Sequence, residues 1–518
     1  MLGKALAGRI IPLRSFPQPG LPLHAKDVPR IIWKHADEII TDRWREAYEF
    51  AKEHLTSAER LQSTNMQALS AGLAHQVIEA KLEEGDTDTL LRLRYIEEVP
   101  RVDVKGTVKV FTVPEKMVAG RFTRRRLILC PTLFNEILTD PGDIELPSVE
   151  DVQSGTADAY AFYGDFEAWF IHFELPPEAR NFFCFPHKGK WFRSCVICTG
   201  QRQCPALAHA VCASLAERAA CGDAKPLAYI DNVRFSGSMP ECAASWDKLL
   251  DLASQLPAKL QLDSQGVEYD FLGVRCEHGA QQSRATQKTI DKVVQMGALC
   301  LTDPERTTLR EWLRLLGLLM WCSRVAASAL GCTYPFIKFV RRKVARDPPL
   351  DDAAPLWPCL RASLSAWINF AVKNQARRFP HTESQRTILV SDASPEGWCA
   401  IIFEEAKTKI VYGPFAQRLR DTPIANLEAL ATLFGARHLA QTTGDDATIR
   451  IVVDNTSWCG VLAKERSPVF SLQSILEDLA RTLAHKGFRF WEQSWIGSLS
   501  NPADAFTRIG ATRVTVLF

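Results

Sequence analysis

The chain has 518 residues, 46% of them apolar and 24% charged, which excludes a disordered or collagen-like polymer and provides cores for about three or four domains. Its 62 basic and 60 acidic side chains give a net charge of +2, so any basic surface that binds nucleic acid must be local. No apolar run reaches the roughly 18–20 residues that span a bilayer, which excludes an integral membrane protein.

The N-terminal segment and the cysteines bear on the compartment of the protein. The first 26 residues contain four basic side chains and no acidic one, which fits a basic surface arm better than the alternative, a mitochondrial transit peptide. The 15 cysteines are odd in number and scattered, so they indicate a reduced protein rather than a secreted disulfide scaffold. We therefore expect an intracellular protein, either nuclear or cytoplasmic.

Apolar periodicity and breaker residues divide the chain into five segments. Residues 1–100 have helical spacing and predict a helical N-terminal extension, whereas residues 101–280 alternate short apolar strands with helix-like stretches. Residues 281–345 are again strongly helical. Proline-rich sequence over residues 346–385 predicts a linker, and residues 386–512 predict a second unit of strands and helices.

Acidic residues stand at the ends of predicted strands in both strand-containing segments. In the first segment, Asp165 lies within the sequence FYGDFEAWF and Asp231 within AYIDNV. A carboxylate at a strand end is held by a rigid element, and several that converge bind divalent metal ions through oxygen, as phosphoryl transfer requires. The second segment has four such acids, which are Asp392 in VSDAS, Glu428 in NLEAL, Asp454 in VVDNT and Asp504 in NPADAFTR.

These motifs resemble those of a retrotransposon reverse transcriptase with a ribonuclease H domain. The Asp165 segment is similar to polymerase motif A, the Asp231 segment to motif C, and the sequence TGQRQCP at residues 199–205 to a degraded motif B. The four later acids match the acidic positions of ribonuclease H. The residues that flank them are most similar to those of retroelements that encode a tyrosine recombinase (DIRS- and VIPER-like). The resemblance covers about residues 101–510.

The resemblance implies an α/β fold. It implies right-hand polymerase fingers and palm over residues 101–280, and thumb or connection helices over residues 281–345. After the linker at 346–385, it implies a ribonuclease H-like mixed sheet with helices over residues 386–512. Residues 1–100 lie outside the resemblance.

The resemblance also implies an RNA-directed DNA polymerase with ribonuclease H activity on RNA–DNA hybrids. Asp165 and Asp231 would be the catalytic carboxylates of one site and the four later acids those of the other, each site holding two Mg²⁺ ions, or Mn²⁺. The implied partners are an RNA template, a DNA primer, RNA–DNA hybrid, deoxynucleoside triphosphates and other proteins of the element. The residues that it implies for substrate contact are Lys116, Arg124, Arg126, Phe170, Gly200, Tyr229 and Asn232.

Several of these residues allow a second interpretation. Phe170, five residues after Asp165, matches an aromatic that in the family blocks a ribose 2′-hydroxyl, or it is a core aromatic of a Trp- and Phe-rich stretch. The basic cluster over residues 116–126 meets a triphosphate or template backbone, or it is a solvated basic face. Cys195 and Cys198 have zinc-like spacing, or they belong to a buried strand.

Asn232 departs from the family, in which a second aspartate is usual at that position. An amide keeps an oxygen acceptor but removes a full charge from the neighbourhood of the metal ions. The alternative function is therefore a domesticated nucleic-acid-binding protein whose polymerase site is inert, with or without residual ribonuclease H activity. Such a protein would bind hybrid with strong salt dependence and would not extend a primer.

Overall fold

The computed structural model describes residues 20–73, 77–118, 121–137, 144–326, 333–346, 348–378, 386–404, 407–442, 448–485, 489–507 and 514–517. The chain divides into two compact units, Met1–Tyr269 and Asp270–Phe518. Both units combine helices with strands, so the predicted mixed α/β class is confirmed. None of the helices among the described residues is both long and apolar enough to cross a bilayer.

The first unit contains helices α1–α9 and strands β1–β10, numbered in chain order. The helices are Trp33–Ile39, Asp42–Thr56, Ala58–Ser70, Asp86–Arg92, Thr132–Ile137, Val149–Ser154, Pro177–Arg180, Cys204–Ala219 and Met239–Gln255. The strands are Leu23–His24, Ile96–Glu98, Lys109–Val118, Arg121–Cys130, Tyr160–Phe166, Cys184–His187, Lys190–Ser194, Lys225–Tyr229, Asn232–Gly237 and Leu260–Gly266.

A four-stranded antiparallel sheet with the order β10-β5-β9-β8 forms the centre of the first unit. Strands β5 and β9 pair so that Tyr160 lies opposite Gly237 and Asp165 opposite Asn232. Helices α8 and α9 pack against this sheet, and α8 is buried along most of its length. Helices that cover one face of a sheet exclude water from it and fix the strand ends, where polar side chains can then be positioned.

The N-terminal helices contribute to the same core. Ile31, Trp44 and Tyr48 are buried in one hydrophobic cluster with Phe166 and Val233 of the central sheet. Residues 1–100 were predicted as a helical extension, but their described part forms the strands β1 and β2 as well as α1–α4, and its apolar side chains complete the core of the first unit. Burial of this apolar area away from water is what stabilises the association.

A three-stranded sheet with the order β1-β4-β3 carries the basic cluster, and its strands β3 and β4 form an antiparallel ribbon. Arg125 on β4 is buried, and its guanidinium donates to the two carboxylate oxygens of Asp86 at 2.8 and 2.9 Å. A buried bidentate pair of this kind ties the ribbon to α4. One member of the basic cluster therefore has a structural role rather than a role in binding phosphate.

The second unit contains helices α10–α17 and strands β12–β20, and the division between the units falls within β11, Glu268–Phe271. The helices are Gln287–Thr302, Leu309–Val325, Tyr334–Val344, Arg361–Lys373, Ile424–Thr442, Thr456–Lys464, Phe470–His485 and Asp504–Thr507. The strands are Val274–Glu277, Gln282–Ala285, Arg377–Arg378, Arg386–Ala393, Gly397–Glu404, Lys407–Pro414, Thr448–Val453, Arg489–Trp495 and Val514–Leu517.

The segment predicted as a linker, residues 346–385, contains helix α13. Leu364, Trp367, Ile368 and Ala371 recur at helical spacing and are all buried. The Trp367 indole N–H donates to Ser323 Oγ on α11 at 2.8 Å. This part of the segment is therefore packed into the second unit and does not behave as a spacer.

A six-stranded mixed sheet with the order β19-β18-β15-β16-β17-β20 dominates the rest of the second unit. Strands β15, β16 and β17 form an antiparallel meander, whereas β18 runs parallel to β15 and β19 parallel to β18. Helix α14 packs on β15 and β16. The resemblance implied a mixed sheet with helices over residues 386–512, and the observed sheet extends past that range through β20.

Candidate active sites

The first acidic site lies where strand β5 ends beside the turn between β8 and β9. Asp165 lies opposite Asn232 in the register of β5 and β9, and the backbone N–H of Phe166 donates to the carbonyl oxygen of Asp231 at 2.8 Å. Asp165 and Asp231 are both half-buried. The structure therefore brings together the two acids that were predicted to form the polymerase site.

A tight turn presents Asp231. Tyr229 and Asn232 pair at the end of the β8–β9 hairpin, so Ile230 and Asp231 are the two central residues of the turn. Ile230 has a φ of +59°, a left-handed conformation that is unfavourable for a β-branched residue. The Asn232 side-chain amide donates to Asp231 Oδ1 at 2.7 Å. The amide thus stabilises the charged form of Asp231, where a second carboxylate would repel it.

The charges around this turn shift the pKa values of its carboxylates. Burial raises the pKa of Asp165 to about 6, and repulsion from Asp263 and Asp231 adds to the effect. Burial also raises the pKa of Asp231, whereas the charge of the Arg126 guanidinium lowers it. The site therefore combines concentrated negative charge with partial burial, a setting in which a divalent cation is favoured.

Asp263 is a residue of this site that the sequence analysis missed. It lies at an irregularity in the pairing of β10 with β5, immediately before Ser264, which lies opposite Tyr163. The extra residue of such an irregularity is unpaired, and Asp263 lies close enough for its charge to raise the pKa of Asp165, beside the effect of burial. No local pattern marks Asp263, because neither the strand pairing nor its irregularity is visible in the sequence.

The basic residues predicted to contact substrate have different surroundings. Arg124 and Arg126 both form ion pairs with Glu115. The Arg126 side chain is 61% exposed, and its charge acts on Asp231. The side chain of Lys116 lies outside the described residues. Among these basic residues, Arg126 is the one whose position near Asp231 suits contact with a phosphate.

The other residues predicted to contact substrate also make structural contacts. A Cβ on Gly200 would lie 2.9 Å from the carbonyl oxygen of Leu129 on β4, so a side chain there would push the loop around Gly200 away from β4. Phe170 is half-buried and packs against the core of the first unit, as its interpretation as a core aromatic expects. Tyr229 is half-buried at the end of β8, directly before the turn.

The second acidic site lies at the adjacent ends of the parallel strands β15 and β18. Val390 lies opposite Val452, so Asp392 near the end of β15 and Asp454 directly after β18, each two residues further on, lie side by side. Glu428 approaches from helix α14. One ligand oxygen from each of the three carboxylates lies within 4.8 Å of the other two, and no other His, Cys, Asp and Glu side chains among the described residues form such a group.

Helix α14 is held close to the sheet, which fixes Glu428. Thr432, one turn after Glu428, shares a hydrogen bond of 2.8 Å with Ser391 of β15. A Cβ on Gly435 would lie 2.6 Å from the Cβ of Ala400 on β16. The absence of a side chain at Gly435 is therefore what allows the helix to approach the strands at this distance.

The electrostatics of the second site favour a bound cation. Burial raises the pKa of both Asp392 and Glu428, and repulsion from Asp454 raises both further. Glu428 Oε2 and Asp454 Oδ1 are buried and accept no hydrogen bond from the described residues. Buried carboxylate oxygens without a partner cost free energy, which a divalent cation bound between them would offset. A donor set of carboxylate oxygens suits Mg²⁺ or Mn²⁺.

Asp504, the fourth predicted acid, lies outside the group of three. It begins α17, and its backbone N–H donates to the carbonyl oxygen of Asn501. The Asn501 side-chain amide in turn donates to the carbonyl oxygen of Ser391 at 3.2 Å, which ties this segment to β15. The charge of Asp504 raises the pKa of Asp392, so it contributes to the same electrostatic site.

The cysteines with zinc-like spacing are buried thiols. Cys195 and Cys198 are both buried, and the Cys204 thiol donates to the carbonyl oxygen of Cys198 at 3.0 Å. Burial raises the pKa of Cys195 to about 12, which disfavours the thiolate that binds a metal. Within the described part of the chain, neither Cys195 nor Cys198 belongs to a group of three metal-ligating side chains. The two cysteines are therefore buried, as the second interpretation expects, but they follow β7, which ends at Ser194, and do not lie in a strand.

Comparison with known proteins gives a likeness of fold. No family model matches the chain, and no curated protein matches it. The chain is similar to a solved structure of the foamy viral protease-reverse transcriptase dRH in complex with double-stranded DNA, at 12% identity over 93% of this chain and 85% of that one, with a TM-score of 0.49.

Two further structures of the foamy viral protease-reverse transcriptase show a similar degree of likeness. The complex with double-stranded DNA has 13% identity over 92% of this chain and 100% of that one, with a TM-score of 0.46. The complex with an RNA/DNA hybrid has 13% identity over 83% of this chain and 57% of that one, with a TM-score of 0.45. Values of this size describe a distant likeness and assign no activity.

Proposed function

We propose that the second unit is a ribonuclease H that cuts the RNA strand of an RNA–DNA hybrid. The observation that carries the proposal is the convergence of Asp392, Glu428 and Asp454, two of which have a buried carboxylate oxygen without a partner among the described residues. These carboxylates would hold Mg²⁺, or Mn²⁺, with Asp504 as a fourth charge. When bound, such ions activate water and stabilise the leaving oxygen of an in-line displacement.

The chain's own contribution is a set of charges that is in place before substrate arrives. Strands β15 and β18 fix the direction of Asp392 and Asp454, and the close approach of α14 fixes Glu428. Carboxylates that are already oriented need little reorganisation during the reaction, which is the main advantage of a folded active site over water.

The test of the nuclease uses the purified full chain and a hybrid with an end-labelled RNA strand. Cleavage is followed in Mg²⁺, in Mn²⁺ and in EDTA, and hybrid binding is measured separately by fluorescence anisotropy. We expect Asp392→Asn to abolish cleavage and to leave binding intact. The matched control is Asp421→Asn, an exposed acid of the same unit, which should cleave like the wild type. Unchanged cleavage by Asp392→Asn would show that the site is misplaced.

We infer that the first unit is an RNA-directed DNA polymerase that extends a DNA primer with deoxynucleoside triphosphates. The placement of Asp165 beside the turn that carries Asp231 supports this function, and Arg126 supplies a nearby positive charge for a phosphate. The two carboxylates would hold the metal ions that polymerase chemistry requires. In this function Phe170 would block the ribose 2′-hydroxyl and so exclude ribonucleotides.

Primer extension on an RNA template tests the polymerase function. The full chain is given a DNA primer, deoxynucleoside triphosphates and Mg²⁺, and extension is followed apart from RNA cleavage. We expect extension by the wild type and none by Asp231→Ala. If the wild type extends no primer in Mg²⁺ or in Mn²⁺, the polymerase function is wrong.

Asn232 favours a second candidate function for the first unit, a clamp that binds nucleic acid without extending a primer. The amide lacks the full charge that the family's aspartate carries near the metal ions. This candidate predicts that hybrid binding weakens steeply with salt concentration while extension is absent. Salt titration of hybrid binding, in parallel with the extension assay, separates the two candidates.

The origin of the chain is also a proposal. We propose that it derives from a retrotransposon of the class that encodes a tyrosine recombinase. The basis is the sequence motifs NPAD, which contains Asp504, and VVDNT, which contains Asp454. An element that carries a tyrosine recombinase gene beside the gene for this chain would support the proposal, and an integrase gene in that place would contradict it.

A further inference from the structure

Helix α8 contacts both ends of the turn that presents Asp231. The backbone N–H of Ile230 donates to Nδ1 of His209 at 3.2 Å. The Cys212 thiol donates to the carbonyl oxygen of Asn232 at 3.7 Å. His209 and Cys212 are three residues apart and so lie on the same face of the helix. One face of α8 therefore holds the turn from its first central residue to the start of β9.

The surroundings of His209 make it a fixed, neutral acceptor. The imidazole is 1% exposed, and the Trp44 ring packs against it edge-on with 4.8 Å between the ring centroids. Because Nδ1 accepts the hydrogen from Ile230, the ring proton is on Nε2. Burial lowers the pKa of His209 to about 4, so this neutral form persists through the physiological range.

Ile230 needs an external partner because its own conformation is unfavourable. A φ of +59° is common for glycine and rare for a β-branched residue. Without an acceptor for its N–H, the turn loses a hydrogen bond that offsets this strain. Relaxation of φ at Ile230 would then redirect Asp231, the next residue in the chain.

We propose that His209 is a positioning residue of the polymerase site, which holds the Ile230–Asp231 turn in the conformation that places Asp231 beside Asp165. This inference rests on the polymerase function proposed for the first unit. The competing explanation is a core histidine that matters only for packing. The two differ in one respect: only the positioning role requires an acceptor atom where Nδ1 lies.

Three variants of the full chain separate these explanations. His209→Leu removes the acceptor and keeps an apolar side chain of similar size. His209→Asn restores an acceptor, because the asparagine Oδ1 lies close to where Nδ1 was. The matched control is His187→Leu, which removes another buried histidine of the same unit. The Nδ1 atom of His187 contacts the carbonyl oxygen of Ala80 and not the turn.

Two measurements are made on each variant. The first is the amide hydrogen exchange of Ile230, which does not depend on activity. We expect roughly tenfold faster exchange in His209→Leu, the change that loss of about one hydrogen bond produces, and recovery to within about threefold in His209→Asn. The second is primer extension, where kcat should fall about tenfold in His209→Leu with little change in the KM for deoxynucleotides.

The outcomes decide between the explanations. Equal effects of His209→Leu and His209→Asn on exchange and on kcat, or no effect of either, would overturn the positioning role. His187→Leu should change neither quantity relative to the wild type. If the wild type extends no primer, the polymerase function fails, and the exchange of Ile230 still decides whether His209 holds the turn.

A double variant keeps the inference testable if His209→Leu folds poorly. Ile230→Gly allows φ near +59° without strain, so the turn should then depend less on its partner. We expect His209→Asn and His209→Ala to differ in kcat by several-fold in the wild-type background and by less than about twofold with Gly at position 230. The same difference in both backgrounds would contradict the proposal.

Discussion

The two acidic sites use carboxylates at strand ends but hold them in place by different means. In the second site, β15 and β18 are parallel, so Asp392 and Asp454 stand at the same end of two neighbouring strands. In the first site, β5 and β9 are antiparallel, so the partner of Asp165 must lie in a turn rather than at the end of a strand. Packing fixes the second site, whereas a strained turn and its hydrogen bonds fix the first.

The sites also differ in how they accommodate repulsion between their acids. In the second, Asp392 and Glu428 are buried, and Glu428 Oε2 and Asp454 Oδ1 have no partner among the described residues. In the first, the Asn232 amide and the Arg126 guanidinium stabilise the charge of Asp231. We therefore expect the second site to depend more strongly on a bound cation than the first, where side chains of the chain itself stabilise the charge.

The largest expected effect is the separation of the two activities. Asp231→Ala should reduce primer extension by roughly a thousandfold or more and leave hybrid cleavage within about twofold of the wild type. Asp392→Asn should do the reverse, because each change removes a carboxylate from one site alone. Both activities are measured on the same preparations of full-length protein. Loss of both activities in either variant, without loss of folding, would contradict the assignment of two separate sites.

The next effect concerns the amide of the first site. Asn232→Asp should raise the kcat of extension about tenfold at saturating Mg²⁺, because a full charge is restored near the metal ions. In EDTA the same change should lower the melting temperature, since the hydrogen bond to Asp231 becomes a repulsion. The reference is the wild type at equal Mg²⁺ concentration. Slower extension at every Mg²⁺ concentration would show that the amide is a functional feature rather than a loss.

How much of these sites the sequence predicts depends on how local their signals are. Asp165, Asp231, Asp392 and Asp454 each stand at or directly after the end of an apolar strand. This pattern is contained within a few neighbouring residues, and the structure brings each pair together. Asp263 has no such pattern, because its place in the site comes from the pairing of β10 with β5. Strand pairing between distant segments is a property of the tertiary fold.

The same distinction explains the differences elsewhere in the chain. Arg125 belongs to a run of arginines that predicts a phosphate-binding surface, but its partner Asp86 lies far away in the sequence. Helix α13 is a different case. Leu364, Trp367 and Ile368 have helical spacing in the sequence, but the nearby prolines favoured the prediction of a linker. Long-range ion pairs are hidden from sequence analysis, whereas a helix between prolines is only easy to overlook.

A smaller effect tests how strongly the second site depends on a cation. A carboxyl whose pKa is raised by folding destabilises the folded state, and this cost grows as the pH rises above the pKa of the unfolded chain. Glu428→Gln should therefore raise the melting temperature in EDTA by roughly 2–4 °C at pH 8 and by much less at pH 4. Mg²⁺ should stabilise the wild type more than the variant. A variant that melts below the wild type in EDTA at pH 8 would contradict this account.

The smallest effect concerns Asp263 in the first site. Because its charge raises the pKa of Asp165, Asp263→Asn should lower that pKa from about 6 toward its ordinary value. The acid limb of the pH profile of kcat/KM for extension, measured at subsaturating Mg²⁺, should then move to lower pH. The matched control is Asp247→Asn, an exposed acid on α9, which should leave the profile unchanged. An unmoved acid limb in Asp263→Asn would show that Asp165 and Asp263 do not act on each other, and that the negative charge of the first site comes from Asp165 and its neighbours in the turn.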